Sequence, residues 1–415
     1  MERSILDQII NNQKAEEVAK LNTIEIVNNI FSELTSRERD ILTRRFGLKG
    51  NDRETLETVG RAHQLTRERV RQIEVSSIKK LRQLEKIANY IDVLKKVINQ
   101  LLEEHGGLLE REYLFELLVS FSIEGSGDRQ KDETIHKNHL DFLISKLLHD
   151  ECEEVNNLDK FKGIYKIKYQ TLSHLEEIVN ELTLKIEELK KTFTTMELID
   201  ILIKLDSYTK YREKLETPNN INISKILARD LFEENEEIIN NNKILYSLLR
   251  AARNIEQNKF GHWGINNWRE IKPKTINDKI YLILKHFGKP MHFIQIADRI
   301  NQINFDKKKA NAATVHNELI LDKKYVLVGR GIYGLMDWGF KRGTVADVIR
   351  EILSAENEPM KRDEIIDKVL AKRLVKKTTI ILSLLNKDIF VKANGKYSLK
   401  KENGEQGENE KKNLE

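Results

Sequence analysis

Apolar residues recur three and four apart along most of this chain, the spacing that keeps one face of an α-helix dry. Ile5, Leu6, Ile9 and Ile10, then Val18, Leu21, Ile24, Ile26, Val27 and Ile30 form such a stripe, so residues 1–33 read as an N-terminal helical extension packed on the neighbouring helical domain. A helix opens at Thr35 as N-cap, carries Ile41, Leu42 and Phe46 on one face, and stops at Gly47. A short helix through Leu56, Val59 and Gly60, a turn at Gln64-Leu65 and a further helix capped by the Thr66 hydroxyl complete a helix-turn-helix over residues 34–86. Val70, Ile73 and Ser77 face inward on that last helix, and Arg67, Glu68, Arg71 and Gln72 face outward near its start. The complete set of caps and stripes predicts a compact helical domain, separable from the rest.

Beyond residue 86 the pattern changes to helices closed by short strands. Helical stripes over 91–102, 113–121 and 140–148 lead to Phe161-Lys162-Gly163-Ile164-Tyr165-Lys166-Ile167, a glycine turn feeding a strand. This outlines a winged helix over 90–170, with Gly125-Ser126-Gly127-Asp128 as an exposed loop. Residues 171–272 show helical patterns ending in Phe260-Gly261-His262-Trp263-Gly264-Ile265, and both a helical spacer and another winged helix fit them. Trp263, Trp268 and Trp338, near the ends of such hairpins, read as hydrophobic closures. The last third repeats itself: Thr275, Ile280, Ile283, Pro290 and Met291 recur 69 residues on as Thr344, Ile349, Ile352, Pro359 and Met360, and Leu321, Gly331, Tyr333 and Leu335 recur 64 on as Leu385, Gly395, Tyr397 and Leu399. Two winged-helix copies are therefore expected at 273–340 and 341–399, with 400–415 a disordered polar tail. The fold class is mainly α: a helix-turn-helix domain followed by tandem winged-helix (α+β) domains.

The length of 415 residues exceeds the ~250 to 300 at which a single core stops growing, which predicts several domains. One cysteine, Cys152, excludes an internal disulfide and leaves a thiolate zinc site with a single ligand. With no signal peptide and no run of ~18 apolar residues, the expected compartment is the cytoplasm. The net charge of +5 is uneven: residues 35–86 hold 14 Lys/Arg against 8 Asp/Glu, which leaves the rest at −1 and points to a basic face local to the helix-turn-helix. The histidines are scattered without metal-ligand spacing, and no phosphate loop, dinucleotide fingerprint or nucleophile elbow occurs, so no metal, cofactor or enzymatic activity is expected.

The outward set on the helix after Thr66 has the chemistry a major groove needs. Arginine donates two bonds to guanine, glutamate accepts from cytosine, and glutamine pairs with adenine. The competing reading is a solvated face whose arginines pair with Glu68 and Gln72. The flanks favour the first: Leu34-Thr35-Ser36-Arg37-Glu38, Arg44-Arg45-Phe46-Gly47-Leu48, Thr55-Leu56-Glu57-Thr58-Val59-Gly60 and Thr66-Arg67-Glu68-Arg69-Val70-Arg71-Gln72-Ile73-Glu74, then Lys79-Lys80-Leu81-Arg82, closely resemble region four of the primary bacterial sigma factors. The resemblance implies that Arg67, Glu68, Arg71 and Gln72 read duplex promoter DNA, with Thr66, Arg69 and Lys79 on the same surface. It also implies a contact of the apolar first helices with the flap of the RNA polymerase beta subunit. The family's region two, the aromatic promoter-melting helix, has no counterpart here, so an autonomous sigma factor is not implied.

Lys289-Pro290-Met291-His292-Phe293, Ala313-Thr314-Val315-His316-Asn317-Glu318-Leu319 and Val328-Gly329-Arg330-Gly331-Ile332-Tyr333-Gly334-Leu335 resemble the HARE-type helix-turn-helix, which includes the N-terminal domain of the delta subunit of Gram-positive RNA polymerases. Delta subunits end in an acidic tail, whereas residues 400–415 hold four lysines and five glutamates. Lys309, Thr314, His316, Asn317 and Arg330 in this copy, and Lys376 and Lys377 in the last, are candidates for secondary DNA contacts, alongside Lys372 and Arg373. Winged helices also bind proteins, which is the competing reading. The sequence supports two functions. One is a sequence-specific DNA-binding transcription factor acting in initiation with RNA polymerase; the other is a delta-like accessory subunit working through protein contacts. Neither needs a membrane or a small-molecule substrate.

Overall fold

The structure is a computed structural model that describes residues 22–400 apart from 86, 123–128, 149–151, 157, 218, 229–230 and 357. The stripe over residues 5–21, the loop around Gly125 and the tail from 401 lie outside the described residues. The chain divides after Ile271 into two compact units.

The first unit opens with α1 (Thr23–Phe31), α2 (Ser36–Phe46), α3 (Leu56–His63) and α4 (Arg67–Arg82). Local chemistry sets these ends. Thr35 and Glu38 form a reciprocal capping box on α2, and Gly47 closes it in the left-handed conformation at φ 64°. Then come α5 (Ile87–Glu104), β1 (Leu108–Glu110), α6 (Arg111–Ser122), α7 (Arg129–Phe142), which runs on into one π-helical turn, and the hairpin β2 (Cys152–Val155) and β3 (Ile164–Ile167). The strands form an antiparallel sheet in the order β1-β3-β2. The unit ends with α8 (Ser173–Leu189), α9 (Thr195–Ile203), the short helices α10 (Asp206–Tyr211), α11 (Ser224–Leu227) and α12 (Glu236–Asn241), then α13 (Lys243–Ala251) and the hairpin β4 (Ile255–Gln257) and β5 (Trp263–Ile265).

The second unit contains α14 (Ile276–Phe287), β6 (Met291–His292), α15 (Phe293–Ile303), α16 (Ala312–Leu321), β7 (Tyr325–Gly329) and β8 (Ile332–Leu335). The same order returns as α17 (Val345–Glu356), β9 (Met360–Lys361), α18 (Arg362–Lys372), α19 (Lys377–Leu384), β10 (Phe390–Ala393) and β11 (Lys396–Leu399).

One local pattern organises all four hairpins: glycine, any residue, aromatic, any residue, aliphatic. It reads Gly163-Ile164-Tyr165-Lys166-Ile167, Gly261-His262-Trp263-Gly264-Ile265, Gly331-Ile332-Tyr333-Gly334-Leu335 and Gly395-Lys396-Tyr397-Ser398-Leu399. Each aromatic ring is buried, and each is paired on one side with a residue from earlier in the chain and on the other with the hairpin partner. Tyr165 lies opposite Leu109 and Glu154, and Trp263 opposite Phe193 and Gln257. Tyr333 lies opposite Met291 and Leu327, and Tyr397 opposite Met360 and Lys392. Residues 171–272 thus carry the same hairpin as their neighbours, with α10 to α12 inserted ahead of it. The Trp263 indole N–H donates to Thr195 Oγ1 at 2.8 Å, which satisfies its one polar atom inside the core.

The helix-turn-helix is built onto α7. Phe142 meets Phe31 at 5.5 Å and Phe46 at 4.9 Å, both edge to face. Asp141, nearly buried, accepts from Arg53 at 2.7 Å and from Arg111, while Asn138 donates to the Gly47 carbonyl at 2.9 Å and Arg82 to the Lys146 carbonyl at 2.7 Å. Leu42, Phe46, Leu48 and Leu81 therefore belong to the large core that includes Phe142, and only Ile41, Val59 and Val70, with Leu56, Leu65 and Ile73, form a core private to the helix-turn-helix. Separability, expected from the caps, meets an opposing term. Burying a side chain such as Phe46 or Leu42 contributes roughly 1.5–3 kcal/mol, which an excised segment forfeits. Residues 34–86 alone are expected to unfold at a clearly lower urea concentration than the same helices in the full chain, followed by hydrogen exchange at the amides of α4. Equal midpoints would mean that docking on α7 contributes nothing.

In the second unit the two copies are joined at a strand edge. Leu374 N–H donates to the Val328 carbonyl at 2.9 Å along β7. Arg373, expected on a phosphate-facing surface, is buried instead, because its guanidinium donates to the carbonyls of Leu327, Lys341 and Gly343.

Candidate nucleic-acid interface

The turn between α3 and α4 depends on close backbone approach. Leu65 N–H donates to the Gly60 carbonyl at 2.8 Å, and Gln64 takes the left-handed conformation at φ 55°. A Cβ on Gly60 would fall 2.6 Å from the Leu65 carbonyl oxygen. Gly60→Ala is therefore expected to destabilise the helix-turn-helix by about 1–3 kcal/mol, the usual cost of overpacking, and to weaken duplex binding with it. A variant with unchanged thermal midpoint and unchanged binding would show that the turn relaxes freely. From the other side, Arg37 donates to the His63 carbonyl at 3.1 Å, and His63 Nε2 lies 2.8 Å from Asp40.

Helix α4 starts on Thr66, whose hydroxyl accepts from the Arg69 N–H at 3.2 Å. Its inner face is pinned by buried Val70 and Ser77 and by Glu74, which accepts from Arg45 at 2.8 Å. The outer face holds Arg67, Glu68, Arg69, Arg71, Gln72 and Lys79, all exposed. Two pairs order it. Arg71 donates to both Glu68 oxygens at 2.7–3.1 Å, and Arg69 donates to Gln72 at 3.1 Å. The Arg71 hydrogen bonds hold the Glu68 carboxyl below its ordinary range, and Glu68 in turn raises Arg71. The pairing that a solvated face predicts is thus present, at i,i+3 rather than i,i+4. It leaves the side chains outward and charged, and it aligns two groups that bases can recruit.

The secondary candidates lie in the second unit and divide into presented and occupied groups. Lys309, Thr314, Asn317, Arg330, Lys376 and Lys377 are exposed. His316 is half-buried and stacks on Phe293 at 4.5 Å between rings, with Tyr333 at 5.8 Å, so it serves the aromatic packing of its own copy. The four third helices also differ. In α7 Asn138, Asp141 and Phe142 hold the helix-turn-helix, and in α13 every residue but Arg250 is buried, whereas α16 and α19 each keep an outward face. Among the described residues no group of His, Cys, Asp or Glu is placed to hold a metal ion, and no helix is long and apolar enough to cross a membrane.

Two helices on a capped turn, with arginine, glutamate and glutamine on one exposed face of the second, form a helix-turn-helix. Residues 30–83 match the family described as Sigma-70, region 4. The chain is 33% identical over 86 residues to RNA polymerase sigma factor RpoS of Coxiella burnetii, covering 20% of this chain and 24% of the relative. It is 45% identical over 67 residues to RNA polymerase sigma factor SigA1 of Synechococcus elongatus, covering 16% and 17%. It is 43% identical over 67 residues to RNA polymerase sigma factor SigA of Microcystis aeruginosa, covering 16% of each. The chain spans less than a quarter of the length of these relatives. No solved structure matches the chain.

Proposed function

We propose that this chain is a sequence-specific duplex DNA-binding protein of bacterial transcription initiation, which reads promoter-like DNA through the outward face of α4 and acts with RNA polymerase. The observation that carries the reading is the joint exposure of Arg67, Glu68, Arg71 and Gln72 on one face of a helix whose other face is locked by Val70, Ser77 and Glu74. Its match to Sigma-70 region 4 supports promoter DNA and core polymerase as partners. The units after residue 86 are read as winged helices on the strength of the shared hairpin pattern, with residues 273–340 as the HARE-like one.

The alternative is an accessory subunit acting by protein contacts, as the delta resemblance suggests. One observation bears on a flap contact in either reading. The apolar faces of α1 and α2, which a flap contact would use, are occupied by Phe142 and α5 of the same chain. The full chain, immobilised, is offered a promoter-like duplex, core polymerase, or both. Retention of the duplex without polymerase is expected, with polymerase recruited further when DNA is present. Retention of polymerase alone, with no duplex binding at low salt, would replace this reading by the accessory one.

A further inference from the structure

The charge outside the helix-turn-helix sums to −1, yet it is not evenly spread. Over residues 372–400 eight Lys/Arg stand against one acidic residue, Asp388. Lys376, Lys377, Lys387 and Lys396 are exposed, and none has a carboxylate partner among the described residues. The preceding copy differs, with Lys279 held by Asp306 at 2.8 Å and Lys324 by Asp322 at 3.3 Å.

A second observation comes from strand register. In the last copy Lys361 on β9 lies directly opposite Lys396 on β11, just past the hairpin turn. Residues so paired share one face of the sheet with Cβ atoms about 5 Å apart, where like charges destabilise. Elsewhere the equivalent position pairs Glu110 with Ile164 and His292 with Ile332. Two exposed lysines paired across the sheet, neither in an ion pair among the described residues, are a site that an anion stabilises.

We propose that the hairpin of the last copy binds the phosphate backbone of duplex nucleic acid, Lys361 and Lys396 sharing a phosphate and Lys376 and Lys377 at the start of α19 adding further backbone contacts. The inference rests on the DNA-binding reading of the chain. Such contacts anchor without reading sequence, so the basic hairpin supplies affinity and α4 supplies selectivity.

The test uses the full chain and a scrambled duplex titrated by fluorescence anisotropy at several salt concentrations. The K361Q/K396Q variant is expected to lose severalfold in affinity at low salt, and its log–log salt slope to fall by about one unit, the value of one neutralised phosphate. K376Q/K377Q should lower the slope by a further one to two units. The thermal midpoint of K361Q/K396Q should stay level or rise, since a repulsion is removed. An unchanged slope in both variants overturns the proposal, as does tighter binding to phosphatidylserine vesicles than to the duplex. Arg71→Ala is run in parallel. If it leaves site discrimination intact while the lysine variants lower the slope, the α4 reading fails and the hairpin reading stands; the reverse pattern removes the hairpin reading alone.

Discussion

Arg71→Ala is expected to weaken binding at the preferred duplex on the order of ten- to a hundredfold and to flatten discrimination at one base pair. Arg71 sits one turn inside the N-terminus of α4, exposed, with its guanidinium held by both oxygens of Glu68. In the proposed reading that pairing lowers the rotamer freedom lost when the fork meets guanine, and it would bring Glu68 to the same base step. Glu68→Ala should therefore cost affinity at the preferred site even though it removes a negative charge from a DNA-facing surface, whereas simple electrostatics predicts a gain. Lys79→Ala, farther along the helix, should weaken all sequences alike and lower the salt slope by about one unit. A solvated arginine predicts no change for Arg71→Ala. Titrations against promoter-like and scrambled duplexes at two salt concentrations separate these outcomes. Equal losses on both duplexes would reduce Arg71 to a positioning contact and take away the main argument for promoter recognition.

The helix-turn-helix was legible because its determinants are local. The Thr35–Glu38 box, the Gly47 stop and the Thr66 cap each act within four residues, and the capping hydrogen bonds come directly from residue type. Its dependence on α7 was not legible, since Phe142 and Asp141 reach Phe46 and Arg53 across about ninety positions of sequence that carry no pattern linking them. The hairpin at Trp263 shows a different limit. Gly261, Gly264 and Trp268 recur 70 residues on as Gly331, Gly334 and Trp338, but the insertion of α10 to α12 breaks that offset upstream and hides the repeat. Gly264 and Gly334 are shared for a steric reason, because a Cβ would fall 2.9 Å from Trp268 and Ile271 at the first and 2.9 Å from the Phe340 ring, with Trp338 at 3.3 Å, at the second. Arg373 was misplaced because charge alone puts it with Lys372 on the surface, while three carbonyls at the junction of two copies draw it inward. The basic hairpin escaped notice because acidic stretches such as Glu233, Glu234, Glu236 and Glu237 cancel it in a chain-wide sum.

The largest loss of stability is expected from Glu104→Ala. Glu104 ends α5 and Lys243 begins α13; their charged groups meet at 2.7 Å with side chains 1% and 2% exposed. The carboxylate also accepts from the Ile221 N–H at 3.0 Å and from Gln100 at 3.2 Å, and Lys243 donates to the Ile221 carbonyl. Next to it His105, with Leu101 O at 2.7 Å and the Tyr113 hydroxyl at 3.2 Å, is fully buried and its pKa is pushed down to about 3, so it stays neutral and offers Lys243 no competing charge. Burial lowers the Lys243 pKa and the Glu104 carboxylate opposes that shift. Removing the carboxylate leaves a buried ammonium with a carbonyl for company, at a cost of about 3–5 kcal/mol. Because α5 and α13 lead into different hairpins, β2–β3 and β4–β5, the loss should loosen the junction between these two segments rather than a single helix. The sign of the pH dependence is a sharper test. With its partner gone, the lysine titrates lower in the folded chain than in the unfolded one, so the unfolded state binds more protons and stability should rise with pH up to the ordinary lysine range. Glu104→Met with Lys243→Met should recover most of the loss, since neither charge is then left alone in the core. Urea midpoints over a pH series measure all three chains; a single-variant loss under about 1 kcal/mol, or one that is flat with pH, would mean that water reaches the pair and that it does not hold α5 to α13.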